Sequence, residues 1–179
     1  MRHIRNSIIA ALWIYVTVAG CMPYPVKFAY DLPHFHEVKK GIFRSGFPRE
    51  KGYERLEEIQ IKTVISLCPD GPKTEWEEAQ AEKFHIAFFH IPIERGHAGS
   101  RKDDIATITG LLKDSNKHPI LVHCSDGKNV TGMAIAIYRV LVDHWGIQAA
   151  YEEALRYGFD EQPARLKEAL LAVKEGIIQ

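Results

Sequence analysis

Apolar and polar positions along residues 41–175 switch repeatedly between two periods, and the switches mark the elements. Apolar runs of strand length fall at 41–45, 62–67, 86–91 and 119–122. Helical spacing fills the gaps. Leu56 and Ile59 define an apolar edge over 53–60, a second helix covers 74–84, and a third runs to Leu112 with Ser100 and Asp103 available to cap it. Thr74-Glu75-Trp76-Glu77 reads as a capping box at the start of the second helix. Three further helices follow at 131–144, 147–157 and 163–175, separated by Gly146 and Gly158. Strands separated by helices predict an α/β fold with a central, mostly parallel sheet of four to five strands and helices on both faces. Ligands of such sheets bind at the carboxyl ends of the strands. Cys68 and Cys124 both fall at such ends.

The first 40 residues follow a different pattern. Arg2, His3 and Arg5 make a positive start, and residues 8–18 are apolar apart from Thr17. That run is about half the roughly 20 residues a membrane span requires. Val18-Ala19-Gly20-Cys21 then supplies small residues and a cysteine. This is the three-part layout of a signal peptide, and its end resembles the lipobox of bacterial lipoproteins. The competing reading is an uncleaved signal anchor. The expected organisation is a signal peptide at 1–20, an extended tether at 21–40 carrying Pro23, Pro25 and Pro33, and a domain at 41–179. Acylation of Cys21 would give an exported, membrane-anchored lipoprotein of the bacterial periplasm or cell surface. Cleavage removes Arg2 and Arg5 from 23 basic residues, leaving 21 against 23 acidic ones.

Composition narrows the picture without deciding it. A chain of 179 residues with 46% apolar and 26% charged side chains suits one globular domain. A formal net charge of zero gives no reason to expect nucleic acid as a partner. The nine histidines are scattered, no Cys/His spacing suggests a metal, and no cofactor is implied.

The chemistry concentrates in His123-Cys124-Ser125-Asp126-Gly127-Lys128-Asn129-Val130-Thr131-Gly132, where a strand enters and a helix leaves. A cysteine attacks phosphorus as its thiolate, and a helix amino end favours that form while offering unpaired N–H groups to an anion. Gly127 allows close approach of backbone to a bound phosphate. Thr131 is placed for its hydroxyl to reach back to Cys124, and His123 to orient the loop through hydrogen bonds. The arrangement suits phosphoryl transfer to Cys124 followed by hydrolysis.

The resemblance extends beyond the loop. Residues 41–48 (Gly-Ile-Phe-Arg-Ser-Gly-Phe-Pro), 63–70 (Thr-Val-Ile-Ser-Leu-Cys-Pro-Asp) and 116–132 occur in the order found in the atypical dual-specificity phosphatases of plants and fungi. The chain resembles that branch of the protein-tyrosine phosphatase superfamily over about 41–160. The resemblance implies Cys124 as nucleophile, the backbone of Ser125, Asp126, Gly127, Lys128, Asn129 and Val130 as the phosphate cradle, and a phosphorylated protein or small phosphorylated molecule, including inositol pyrophosphates, as partner. It also implies an arginine six residues after the cysteine. Val130 stands there and has no donor for a bidentate grip on phosphate oxygens. Asp126 adds a carboxylate to a loop meant for anions. The superfamily's acid lies on the loop at about 92–104, where Glu94, Asp103, Asp104 and His97 are the candidates; Asp70, at another strand end, is a further one.

Cys68 is a candidate redox partner of Cys124, the alternative being a small buried residue at a strand end. Two functional expectations follow: a phosphatase impaired by Val130, or a pseudophosphatase that binds a partner or phosphorylated ligand without turnover. Sulfur transfer on a similar loop is disfavoured by the landmarks at 41–48 and 63–70. If Cys21 is the lipidated residue, Cys21→Ser will abolish incorporation of labelled palmitate into the protein expressed in a bacterial host and release it from the membrane fraction.

Overall fold

The computed structural model describes residues 26–93, 102–160 and 163–176. Five strands form one sheet in the order β1-β2-β5-β3-β4: β1 His36–Lys39, β2 Ile42–Ser45, β3 Thr63–Ser66, β4 Ala87–His90 and β5 Ile120–His123. β1 pairs antiparallel to β2, and the remaining pairs are parallel. β2, β3 and β5 are buried at every position, as expected of parallel strands covered on both faces.

One face carries α1 Val26–Asp31, α2 Gly52–Glu58 and α3 Pro72–Lys83, packed through Phe28, Tyr53, Leu56 and Ala81 onto Phe43, Val64 and Leu121. The other carries α4 Lys102–Lys113 and α5 Asn129–Leu141, packed through Ile108, Leu112, Ala134, Ile135 and Tyr138 onto Ile42, Ile65, Ile120 and Val122. Residues 129–140 of α5 are all buried, because α6 Ile147–Arg156 and α7 Pro163–Lys174 close over its outer side.

Two expectations are corrected. Residues 26–39 of the expected tether form a helix, a turn and a strand packed into the domain, and not an extended chain. Phe28, Leu32 and Phe35 are buried in the α1–α3 core, and His36–Lys39 adds a fifth, antiparallel strand. The prolines hid this, since the apolar residues between them follow neither period long enough to read. The capping box is also displaced. α3 begins at Pro72, and Thr74 Oγ1 bonds back to Gly71 N and O at 3.1 and 2.7 Å. Glu77 therefore lies a full turn inside the helix, fully buried.

Arg139 holds the lower end of α5. Its guanidinium donates to both Glu153 carboxylate oxygens on α6 at 2.7 and 2.9 Å and to Asp143 at 2.7 Å. It also reaches the Val38 carbonyl of β1 and stacks on Trp145. Removing one partner of a buried ion pair costs about 3–5 kcal/mol, because the other is left charged and dry. Arg139→Ala will lower the melting temperature by roughly 6–20 °C in calorimetry. The double change Arg139→Met with Glu153→Met will recover much of that loss.

Candidate active site

β5 ends at His123, and α5 starts at Asn129; the five residues between form the loop. Gly127 has φ +74°, and a Cβ there would lie 2.4 Å from the Ser45 carbonyl and Gly46 nitrogen. The glycine is thus required first by contact with the end of β2, where the sequence suggested only room for a phosphate. Phe47 N donates to Ser125 O at 3.3 Å and ties the same turn to the loop.

Cys124 is 4% exposed. Its sulfur accepts the Gly127 N–H at 3.3 Å and lies 3.4 Å from Asp126 Oδ1. Asp126 Oδ1 in turn accepts the Lys128 N–H at 2.9 Å. The carboxylate therefore folds into the loop. It takes an amide hydrogen and stands beside the sulfur, as a phosphate oxygen would.

Val130 is buried at 6% and belongs to the core cluster with Cys124, Leu67 and Ile93. It lines a cleft of about 90 Å³ with Cys124, Leu67, Pro69 and Ile93. Apolar surface stands where the fork would project. Asn129 lines the same cleft but also reaches across to Asp160, beyond α6. Its amide donates to Asp160 Oδ1 at 3.0 Å and its oxygen accepts the Asp160 N–H at 3.1 Å, clamping the segment after α6. Ser125 is exposed and Lys128 partly so. Thr131 is fully buried, and its hydroxyl has no hydrogen-bond partner among the described residues, Cys124 included.

Two buried side chains that motif spacing did not single out support the loop. His123 Nε2 lies 2.6 Å from Glu77 Oε1, both residues being fully buried, with the oxygen off the N–H axis. Glu77 also accepts from Ser66 Oγ at 2.9 Å and from Tyr53 OH at 3.3 Å. Burial opposes a charge on His123. The Glu77 carboxylate and the Cys68 sulfur outweigh it and push the imidazole up to about 10. Burial, then Glu77, pushes the Tyr53 phenol upward. On the other side, Arg44 Nη2 donates to Gly127 O at 2.7 Å and to Lys128 O at 3.4 Å, with its guanidinium over the Tyr157 ring. Burial pulls Arg44 down to about 10, so it keeps its charge at neutral pH.

Cys68 and Cys124 are free thiols. In the β3–β5 ladder Ser66 stands opposite His123, and side chains alternate faces along a strand. Cys68 follows the His123 face, with Ser125 Oγ 4.0 Å from its sulfur. Cys124 packs on the opposite face with Leu67. Of the acid candidates, Glu94 and His97 lie outside the described residues, as does Cys21. Asp103 is exposed in the first turn of α4, where Thr107 bonds to its carbonyl, and does not line the Cys124 cleft. Asp70 is exposed beside His90 at 3.6 Å. Among the described residues no group of three or more His, Cys, Asp or Glu side chains is arranged to hold a metal ion.

The pair at Glu77 has a pH signature. His123 is raised above its unfolded value near 6.5. Its contribution to stability is fully present below that pH and is lost as pH rises through about 10. Glu77→Gln will cost about 3–5 kcal/mol at pH 6.5 in denaturant unfolding and will flatten the decline that the native chain shows between pH 6.5 and 10.

Comparison with known proteins places this architecture. A model described as "Tyrosine phosphatase family" matches residues 31–173. The chain is 30% identical to inositol diphosphatase DSP4 of Arabidopsis thaliana over 69% of its own length and 63% of that protein. It is also 30% identical to the dual specificity protein phosphatase TpbA of Pseudomonas aeruginosa, over 72% and 56%. The chain thus spans about 60% of the length of these curated relatives. The core catalytic domain of the PP-IP phosphatase SIW14 from S. cerevisiae superposes with a TM-score of 0.70 at 22% identity, covering 81% of this chain and 88% of that one. P. aeruginosa TpbA superposes with a TM-score of 0.64 at 23% identity, over 82% and 91%. The family match takes in every strand of the sheet and the whole Cys124 loop, and on that ground the chain belongs to the tyrosine phosphatase family.

Proposed function

We propose that the protein is a phosphatase of the cysteine-nucleophile type, acting slowly on a phosphate ester or on a diphosphate bond of a phosphorylated protein or small molecule. The observation that carries this is the Gly127 N–H aimed at Cys124 Sγ, on a loop that opens α5 at the carboxyl end of β5. Attack forms an S–P bond at Cys124 and breaks the P–O bond to the leaving group, which takes up a proton. Water then breaks the S–P bond, releasing phosphate and restoring the thiol.

The slowness comes from two groups. Val130 offers no hydrogen bond to the charge that builds on the phosphoryl oxygens, and a missing arginine at such a position costs roughly 10³–10⁵ in rate. Asp126 places a carboxylate beside the sulfur, where it repels an incoming phosphoryl group. A diphosphate bond suits this site better than an ester, since its leaving group depends less on a protonated acid; Glu94 remains a candidate for that role, whereas Asp103 does not line the cleft. Diphosphatase activity in the relatives named above accords with this choice. The exported, lipid-anchored placement expected from the first 21 residues would set the reaction outside the cytoplasm.

The second reading, a pseudophosphatase that binds without turnover, draws on the close packing of Val130 in the core. Hydrolysis of an aryl phosphate and of inorganic pyrophosphate separates the two. The native chain will turn over measurably, Cys124→Ser will not, and Val130→Arg will raise kcat/KM by about 10³ or more. Turnover seen only with Val130→Arg selects the pseudophosphatase, and inactivity of all three forms overturns both readings.

A further inference from the structure

Beside the cleft at Cys124 lies a larger basin of about 580 Å³, which shares Ser125, Asp126 and Asn129 with it. Arg49, Lys73 and Lys128 line this basin. Arg49 and Lys73 are exposed and Lys128 is half-buried, and none of the three makes an ion pair among the described residues. Each is nonetheless held in place. The Arg49 guanidinium lies 4.6 Å over the Tyr30 ring, and the Lys73 ammonium 5.8 Å over Phe47. The aliphatic stem of Lys128 runs along Gly158, where an added Cβ would meet it at 3.5 Å. Aromatic and backbone contacts of this kind fix a cation without neutralising it.

The basin has two carboxylates, and both are already engaged. Asp126 turns toward the Lys128 N–H and Cys124, and Asp160 is locked to Asn129. Three cations against two carboxylates leave its wall with a surplus of positive charge, next to a loop that has no arginine of its own.

We propose that Arg49, Lys73 and Lys128 form a second anion subsite, which binds a further phosphate of a ligand carrying two or more and supplies the grip that Val130 cannot. The inference rests on the phosphoryl-binding reading of the loop. It assigns affinity to residues 49 and 73, which lie well outside the signature segment, and it makes two-phosphate ligands the preferred class. A single phosphate spans only the cradle, where Asp126 competes with it; a ligand with two can engage the basin as well.

The test uses Cys124→Ser, which removes turnover, with binding of orthophosphate and tripolyphosphate followed by titration calorimetry at fixed ionic strength. Tripolyphosphate will bind at least about tenfold more tightly than orthophosphate. Adding Arg49→Ala and Lys73→Ala will erase that advantage and leave orthophosphate binding unchanged. Adding Lys83→Ala and Lys113→Ala instead, which removes the same charge from the last turns of α3 and α4, will leave both affinities unchanged. The subsite is overturned if the basin pair has no effect or if the distant pair weakens tripolyphosphate as much. Adding Val130→Arg separates the two levels of the claim. Orthophosphate affinity that rises with it while the basin pair stays silent sinks the subsite alone. Affinity for either anion that fails to appear even then sinks the loop reading as well.

Discussion

The contact between Glu77 and His123 is the constraint around which the site is arranged. Both side chains are fully out of water at the junction of β3, β5 and α3, and neither could remain charged there alone. Their pairing fixes how α3 sits on the sheet, because Glu77 also takes the hydroxyls of Ser66 on β3 and Tyr53 on α2. It also fixes the residue immediately before Cys124. The nucleophile's position is thus set by a charge pair on the side of the sheet away from the cleft.

A second support meets the first from behind the loop. Arg44 reaches from β2 to the Gly127 and Lys128 carbonyls, and Gly127 abuts the end of that same strand. Turning the Gly127 carbonyl toward Arg44 turns the Lys128 N–H of the same peptide the other way, onto Asp126 Oδ1. The two supports explain how the loop keeps its form although position 130 has lost its arginine. The cradle is shaped by charges outside it, so a valine inside leaves the scaffold standing. It also exchanges an electrostatic site for an apolar wall, since Val130 joins the Leu67 and Ile93 cluster.

Much of this was legible in the chain. Short apolar runs located β2 to β5, and helical spacing located six of the seven α-helices among the described residues. The motif around Cys124 located the loop between β5 and α5, because its residues act through local backbone geometry. β1 and α1 were missed, being short and surrounded by prolines; the packing of Phe28, Leu32 and Phe35 against residues far along the chain forms them. Glu77 was misread as a cap, since spacing alone does not separate a carboxylate that caps a helix from one that points into the core a turn later.

The sequence by itself determined the order of strands and helices, the cysteine at a strand end and the missing arginine, since all of these are local properties of the backbone and of residue type. Only the tertiary structure decided which charges meet: Glu77 with His123, Arg44 with the loop carbonyls, and Arg49, Lys73 and Lys128 around one basin, none of them in an ion pair among the described residues. These residues lie tens of positions apart in the chain. The energy of a charge depends on its burial and on what stands within a few ångströms of it, and the order of residues does not contain that information until the chain has folded.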